Sequence, residues 1–115
     1  MTNETLETIK NRRSCRAYKP EQITNEELDA VLEAGTYAAS AMGRQSAKIV
    51  VVQDAAARAQ LTRMNAAVMG RDTDPMYGAP TILVVLADAH AANAVSDGSL
   101  VMGKLMLAAA SLGLG

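Results

Sequence analysis

The sequence predicts a single α/β domain, and three observations carry that expectation. A capping-box signature opens an amphipathic helix at Thr24. Two short apolar runs, Ile49 to Val52 and Thr81 to Leu86, have the unbroken, β-branched character of strands buried on both faces. Helical periodicity fills the intervals before, between and after them. The order is helix, helix, strand, helix, strand, helix, without an internal repeat, a low-complexity tract or a linker, so residues 1–115 read as one domain. A chain of this length buries roughly two thirds of its unfolded surface.

Taken in order, Leu6 and Ile9 stand one helical turn apart in an otherwise polar segment, which predicts a short helix over 3–11 docked through that stripe. A loop over 12–22 follows. Thr24 and Glu27 form the capping box of a helix that carries Leu28, Val31, Leu32 and Gly35 on one face and ends near Ala38 or Ala39. Ser40 to Ser46 is a loop of small and polar residues around Gly43. After the first strand, Asp54 is placed to cap a helix through Leu61 and Met64 to about Ala67. Residues 70–80 hold Gly70, Pro75, Gly78 and Pro80 and read as a surface loop. Ser96 or Asp97 is expected to open the last helix, whose Leu100, Val101, Met102, Leu105, Met106, Leu107 and Leu112 leave it apolar nearly all round. Such a helix belongs in a core or at a subunit interface. Ser111 to Gly115 reads as a helix C-cap with its glycine. Two strands are a thin sheet for so much apolar helix, so the expectation is both a partner subunit and a fragment of a longer fold.

Half of the residues are hydrophobic and 20% are charged, the balance of a globular chain. A net charge of -1 supplies no basic excess for general nucleic-acid binding. No apolar run approaches the roughly 20 residues that span a bilayer. The polar start from Met1 to Lys10 is unlike a signal peptide, and a lone cysteine suits a reducing, cytoplasmic compartment. Cys15 and His90 stand apart, and no cluster has metal-ligand spacing. With no Trp or Phe and seven Met, the core must be aliphatic.

The densest cationic stretch is Arg12-Arg13-Ser14-Cys15-Arg16, with Tyr18 and Pro20 behind it. Guanidinium forks suit phosphate oxygens and stay charged at physiological pH. On these five residues alone, a solvated basic turn is the favoured reading.

The ordered set of motifs resembles the FMN-dependent nitroreductase family. That family has an Arg-Arg-Ser-x-Arg-x-Tyr/Phe segment after its first helix, as in Arg12 to Tyr18. Its Ala-Pro-Ser-x-x-Asn-x-Gln-Pro stretch corresponds to Ala38 to Ser46, with Ala39 and Gly43 in place of the usual Pro and Asn. A valine-rich strand, a Gly-Ala-Pro before a second strand (Gly78 to Leu86), and an Asp-Gly opening onto a long helix ending Leu-Gly-Leu-Gly (Asp97 to Gly115) complete the match. The family continues beyond that point, so the chain reads as the N-terminal two thirds of such an enzyme.

The resemblance implies a three-layer nitroreductase-like fold, helices packed on a small mixed sheet, incomplete at the C-terminus. It implies FMN as cofactor, NAD(P)H as electron donor, and ping-pong reduction of nitroaromatics, quinones or similar small acceptors by a cytoplasmic homodimer. The cofactor supplies the chemistry in such enzymes, which accounts for the absence of a catalytic histidine, carboxylate pair or nucleophile-base set. Arg12 and Ser14 are implied at the phosphate or ribityl chain, Arg16 near the pyrimidine side of the ring, Ser40 and Gln45 on the cavity, and Asn65 toward the ring from the third helix. Arg13 belongs to the same cationic segment but in the family more often turns into structural pairing. Each assignment has a plainer rival. Arg12 and Arg16 can pair with Glu4, Glu7 or Glu21; Ser14 can be a turn hydroxyl or a kinase-type Arg-Arg-Ser acceptor; Ser40 can satisfy backbone beyond a helix end. The alternative for the whole chain is a non-catalytic fragment that folds or dimerises through its last helix without flavin.

Overall fold

A computed structural model describes residues 1–115 and contains four α-helices, one 3-10 turn and two strands. In chain order these are α1 (Glu4–Asn11), α2 (Asn25–Thr36), a 3-10 turn (Ala41–Gly43), β1 (Lys48–Val52), α3 (Ala55–Met69), β2 (Ile82–Leu86) and α4 (Ala94–Ser111). β1 and β2 pair as a two-stranded antiparallel sheet. The chain divides into two compact units: residues 1–14, 24–49 and 85–115 form one, and residues 15–23 and 50–84 the other.

The helix ends follow from local chemistry. Asn3 caps α1 by accepting from the Leu6 N–H at 2.9 Å, and Glu4 and Glu7 occupy its positive first turn. Thr24 and Glu27 form the reciprocal capping box of α2, with bonds of 3.1 and 2.8 Å. Asp54 caps α3 by accepting from the Ala57 N–H at 2.9 Å. Gly70 ends α3 in the left-handed conformation, its N–H returning to the carbonyls of Ala66 and Ala67. α2 stops at Thr36, two residues short of the expected Ala38, because the Tyr37 and Ala38 N–H groups turn back in tight bonds to Ala34 and Gly35.

In the first unit α2 packs on α4 and α1 lies against α4. Leu28, Val31 and Leu105 are its buried apolar residues. Gly35 marks the closest approach. A Cβ built there would stand 2.7 Å from Leu105 Cδ2 and 2.8 Å from Ile49 Cδ1, so the absent side chain leaves the space these two side chains fill. In the second unit Arg58 stitches α3 to its flanks, donating to the carbonyls of Gln53 at 3.1 Å and Ala79 at 3.3 Å. Gln22 donates to the Pro80 carbonyl at 2.8 Å and Gln53 to Thr81 Oγ1 at 2.9 Å.

Three expectations are corrected. The strands are not buried on both faces: Val50 is 41% and Leu86 51% exposed, because a sheet of two strands has both edges open and little to cover it. Ile9 is half exposed, so α1 docks through the Leu6 side of its stripe. α4 begins at Ala94, not at Ser96 or Asp97. Asn93 precedes it without a side-chain cap bond, and Asp97 lies within the helix, facing inward.

The Gly35 contact predicts its own mutational signature. Gly35→Val is expected to cost about 1–3 kcal/mol through overpacking, read as a lower urea midpoint at unchanged slope. Leu105→Ala, which costs about 2–5 kcal/mol in an intact core, should cost less in the Gly35→Val background because it vacates the space the valine needs. Strict additivity of the two changes would contradict the contact.

Candidate functional site

The first unit holds a cavity of about 370 Å³ between α2, the 40–47 segment, the start of β1 and α4. Ser40, Gln45 and Asp97 give its wall polar atoms, and Leu32, Ile49 and Val101 give it apolar surface. Of the residues expected from sequence, the structure brings Ser40 and Gln45 together here. The link between them is direct: Ser40 Oγ accepts from the Gln45 N–H at 3.0 Å. That bond uses one lone pair of the hydroxyl and leaves its O–H free to donate.

The loop bearing these residues has an unusual backbone. Met42 (φ 55), Gly43 (φ 66) and Gln45 (φ 50) are all left-handed, a conformation that costs a residue with a Cβ roughly 1–2 kcal/mol. Besides its own backbone turns, two bonds to side-chain oxygens hold it, the Ser40 bond just described and one from the Ala41 N–H to Asp97 Oδ1 at 3.0 Å. Asp97 is the one buried charged residue, 5% exposed, and its acceptor bond explains how a carboxylate is tolerated there. The sequence signal was present. Extending the Val101–Leu105 stripe of α4 back by one turn reaches Asp97, on the inward face and not at the helix start. Next to the loop, Ser46 Oγ is buried without a hydrogen-bond partner, a polar atom with unused capacity beside the cavity segment.

The same unit carries the first part of the basic segment. Arg12 is half buried, and Arg13 and Ser14 are exposed. Arg13 donates to the carbonyls of Lys10 at 2.7 Å and Arg12 at 2.9 Å, a cation closing the carbonyl end of α1. Its guanidinium is therefore engaged in structure.

The second unit carries Arg16 and Asn65, both exposed. Asn65 donates to the Leu61 carbonyl of its own helix at 3.0 Å, which leaves its amide oxygen and its second N–H free. Near Arg16, Tyr18 donates to the Cys15 carbonyl at 3.1 Å, and the Cys15 thiol donates to the Ala17 carbonyl at 3.1 Å. Burial, reinforced by Cys15 and by Tyr77, raises the Tyr18 phenol above its ordinary 10.0. These bonds fix the turn immediately after Arg16.

Residues 12 to 16 carry three guanidiniums and a hydroxyl without a carboxylate, and with Arg13 engaged at the end of α1, Arg12, Ser14 and Arg16 are the candidate anion donors. A Nitroreductase family model matches residues 9–74. A relative from Archaeoglobus fulgidus, provisionally named an NADH dehydrogenase/NAD(P)H nitroreductase, is 33% identical over 97% of this chain and 64% of its own length. A Bacteroides fragilis nitroreductase structure with bound FMN is 34% identical, with a TM-score of 0.86 over 97% of this chain and 67% of that one. A Desulfitobacterium hafniense nitroreductase, also with bound FMN, is 32% identical, with a TM-score of 0.87 over 98% and 68%. The chain belongs to the nitroreductase family and has its fold. It spans slightly less than two thirds of the curated relative's length.

The Tyr18 environment gives a pH prediction. A phenol raised in the folded state adds no pH dependence below the unfolded value, and stability falls as pH rises through 10.0 toward the folded value. In a Tyr37→Phe/Tyr77→Phe variant, Tyr18 is the sole tyrosine, and its phenolate absorbance should titrate with a midpoint above 10.0 in the folded protein. A midpoint at or below that value would contradict the burial.

Proposed function

We propose that the chain is the N-terminal part of an FMN-dependent oxidoreductase that uses NAD(P)H to reduce nitroaromatics, quinones or similar small acceptors in a ping-pong cycle, as a cytoplasmic homodimer. The observation that carries this reading is the carboxylate-free basic segment from Arg12 to Arg16, in a chain more than 30% identical to FMN-bound structures over nearly its whole length. The residues present fit the cofactor: an anion-binding donor set, a cavity wall with free hydroxyl capacity at Ser40, and an orphan hydroxyl at Ser46. Residues 1–115 then constitute a partial FMN-binding domain.

In this proposal Arg12 and Ser14 hold the phosphate or ribityl chain. Arg13 fixes the segment to the end of α1. Arg16 supplies positive charge on the pyrimidine side, Ser40 and Gln45 line the cavity, and Asn65 offers its free amide oxygen toward the ring. Bound FMN supplies hydride acceptance and donation, which no side chain here can provide. Cations placed where negative charge develops favour the reduced state of such a ring. No helix is long and apolar enough to cross a membrane. The exposed Leu100, Met102 and Met106 of α4 support association with a second copy.

That same exposure favours a second reading, in which the 115-residue chain associates through α4 without retaining flavin. Visible absorbance of protein purified without added flavin separates the two: a yellow protein supports the first and a colourless one the second.

Two variants test the site. Arg12→Ala/Arg16→Ala, removing two charge-assisted contacts of about 1.5–3 kcal/mol each, should weaken FMN binding by at least about tenfold in a flavin-fluorescence titration. Undiminished retention would sink the assignment. Gly43→Asn restores the amide usual in the family, at φ 66, where asparagine is the best tolerated residue after glycine and a Cβ meets nothing within 4 Å. It should leave the melting temperature within error and tighten FMN binding. A large loss of stability would contradict the loop geometry.

A further inference from the structure

Asp97 is the one charged side chain buried in the protein, and the group it bonds lies 56 positions away, on the 40–46 loop. A buried carboxylate is unfavourable unless its oxygens are hydrogen bonded, so the bond to the Ala41 N–H is what makes this placement possible. The loop needs an anchor as much as the carboxylate needs a donor. Met42, Gly43 and Gln45 are all left-handed, and two of these three residues carry a Cβ that disfavours the conformation. The Ser40–Gln45 bond closes the loop on itself but does not fix where the loop stands against α4. The Asp97–Ala41 bond ties the loop to α4 and sets where on the cavity wall Ser40 and Gln45 stand.

We propose that Asp97 is the positioning residue of the cavity loop: by accepting the Ala41 N–H it registers the 40–46 segment, with its three left-handed residues, against α4, and so presents Ser40 and Gln45 to the ligand. The role belongs to the acceptor oxygen and not to the charge or the volume. Its consequence for flavin rests on the function proposed above; its consequence for the loop does not.

Three changes separate these properties. Asp97→Asn keeps an acceptor oxygen and removes the charge. Asp97→Leu keeps the volume and removes the acceptor. Ala41→Pro removes the donor from the other side, at a position whose preceding residue, Ser40, is already extended (φ -139, ψ 153) as proline requires. Amide hydrogen exchange of Ala41, Gln45, Val31 and Leu105 is followed in each protein where the amide remains, alongside FMN affinity by fluorescence titration. In Asp97→Leu, exchange at Ala41 and Gln45 should rise by about tenfold while Val31 and Leu105 stay as slow as in the parent. Asp97→Asn should restore slow exchange at both loop positions. Ala41→Pro should reproduce the exchange at Gln45 and the loss of FMN affinity seen in Asp97→Leu, and the double variant should be no worse than either single one.

Unchanged loop exchange in Asp97→Leu would overturn the proposal. So would equal acceleration at Val31 and Leu105, which would make Asp97 an ordinary core residue, or failure of Asp97→Asn to rescue, which would assign the effect to charge. If Asp97→Leu does not fold, Ala41→Pro decides alone, and parent-like exchange at Gln45 in that variant overturns the proposal. If the parent protein binds no FMN, the exchange results still decide the role of Asp97, and only the flavin reading falls.

Discussion

The approach of α2 to β1 and α4 at Gly35 is the constraint from which the geometry of the first unit follows. With Leu105 Cδ2 and Ile49 Cδ1 both inside 3 Å of where a side chain would begin, any residue other than glycine forces these two side chains to shift. Glycine within a helix is disfavoured by about 1 kcal/mol relative to alanine, so close packing must offset a local loss. Once Leu105 is locked against Gly35, the face of α4 is set, and about two turns earlier Asp97 is directed to the same side. The end of α2, the cavity loop and the start of β1 are then all referred to one helix. The core around this contact is small, with Leu28, Val31 and Leu105 as its buried apolar residues, which makes each contact in it matter more.

The candidate site divides its work by chemistry. The basic segment carries guanidinium donors of the kind that make charge-assisted bonds to anions. Arg13 is engaged at the carbonyl end of α1, so the segment is held by its own helix while Arg12 and Ser14 keep their donors. The cavity loop provides shape. Its left-handed residues turn the backbone in directions that helix and strand geometry do not offer, and two bonds to side-chain oxygens, each of 3.0 Å, help to hold it. None of these residues is an acid, base or nucleophile set for chemistry.

Most of the fold was legible in the sequence, because its signals are local. The Thr24–Glu27 box, the Asp54 cap and the β-branched runs each specify their element within a few residues, and the structure places all of them as expected. The failures are tertiary. Whether Ile49 to Val52 is covered on both faces depends on how many strands and helices surround it, which no local pattern records. Ser96 and Asp97 resemble helix openers because both residue types are favoured caps, yet α4 begins at Ala94. The role of Asp97 depends on an N–H 56 residues away, although the inward stripe through Val101 and Leu105 already passed through it. The site was legible as residue types in family order. That Arg13 closes a helix and that Asn65 bonds its own helix became clear only with coordinates.

The central claim is that the Arg12–Arg16 segment is an anion clamp for a flavin phosphate. Parallel fluorescence titrations with FMN and with riboflavin, which has the same ring and no phosphate, test it most directly. The account predicts clearly tighter binding of FMN, by at least about tenfold, with the preference shrinking as ionic strength rises. Equal affinity for the two flavins, or an FMN preference indifferent to salt, would contradict it.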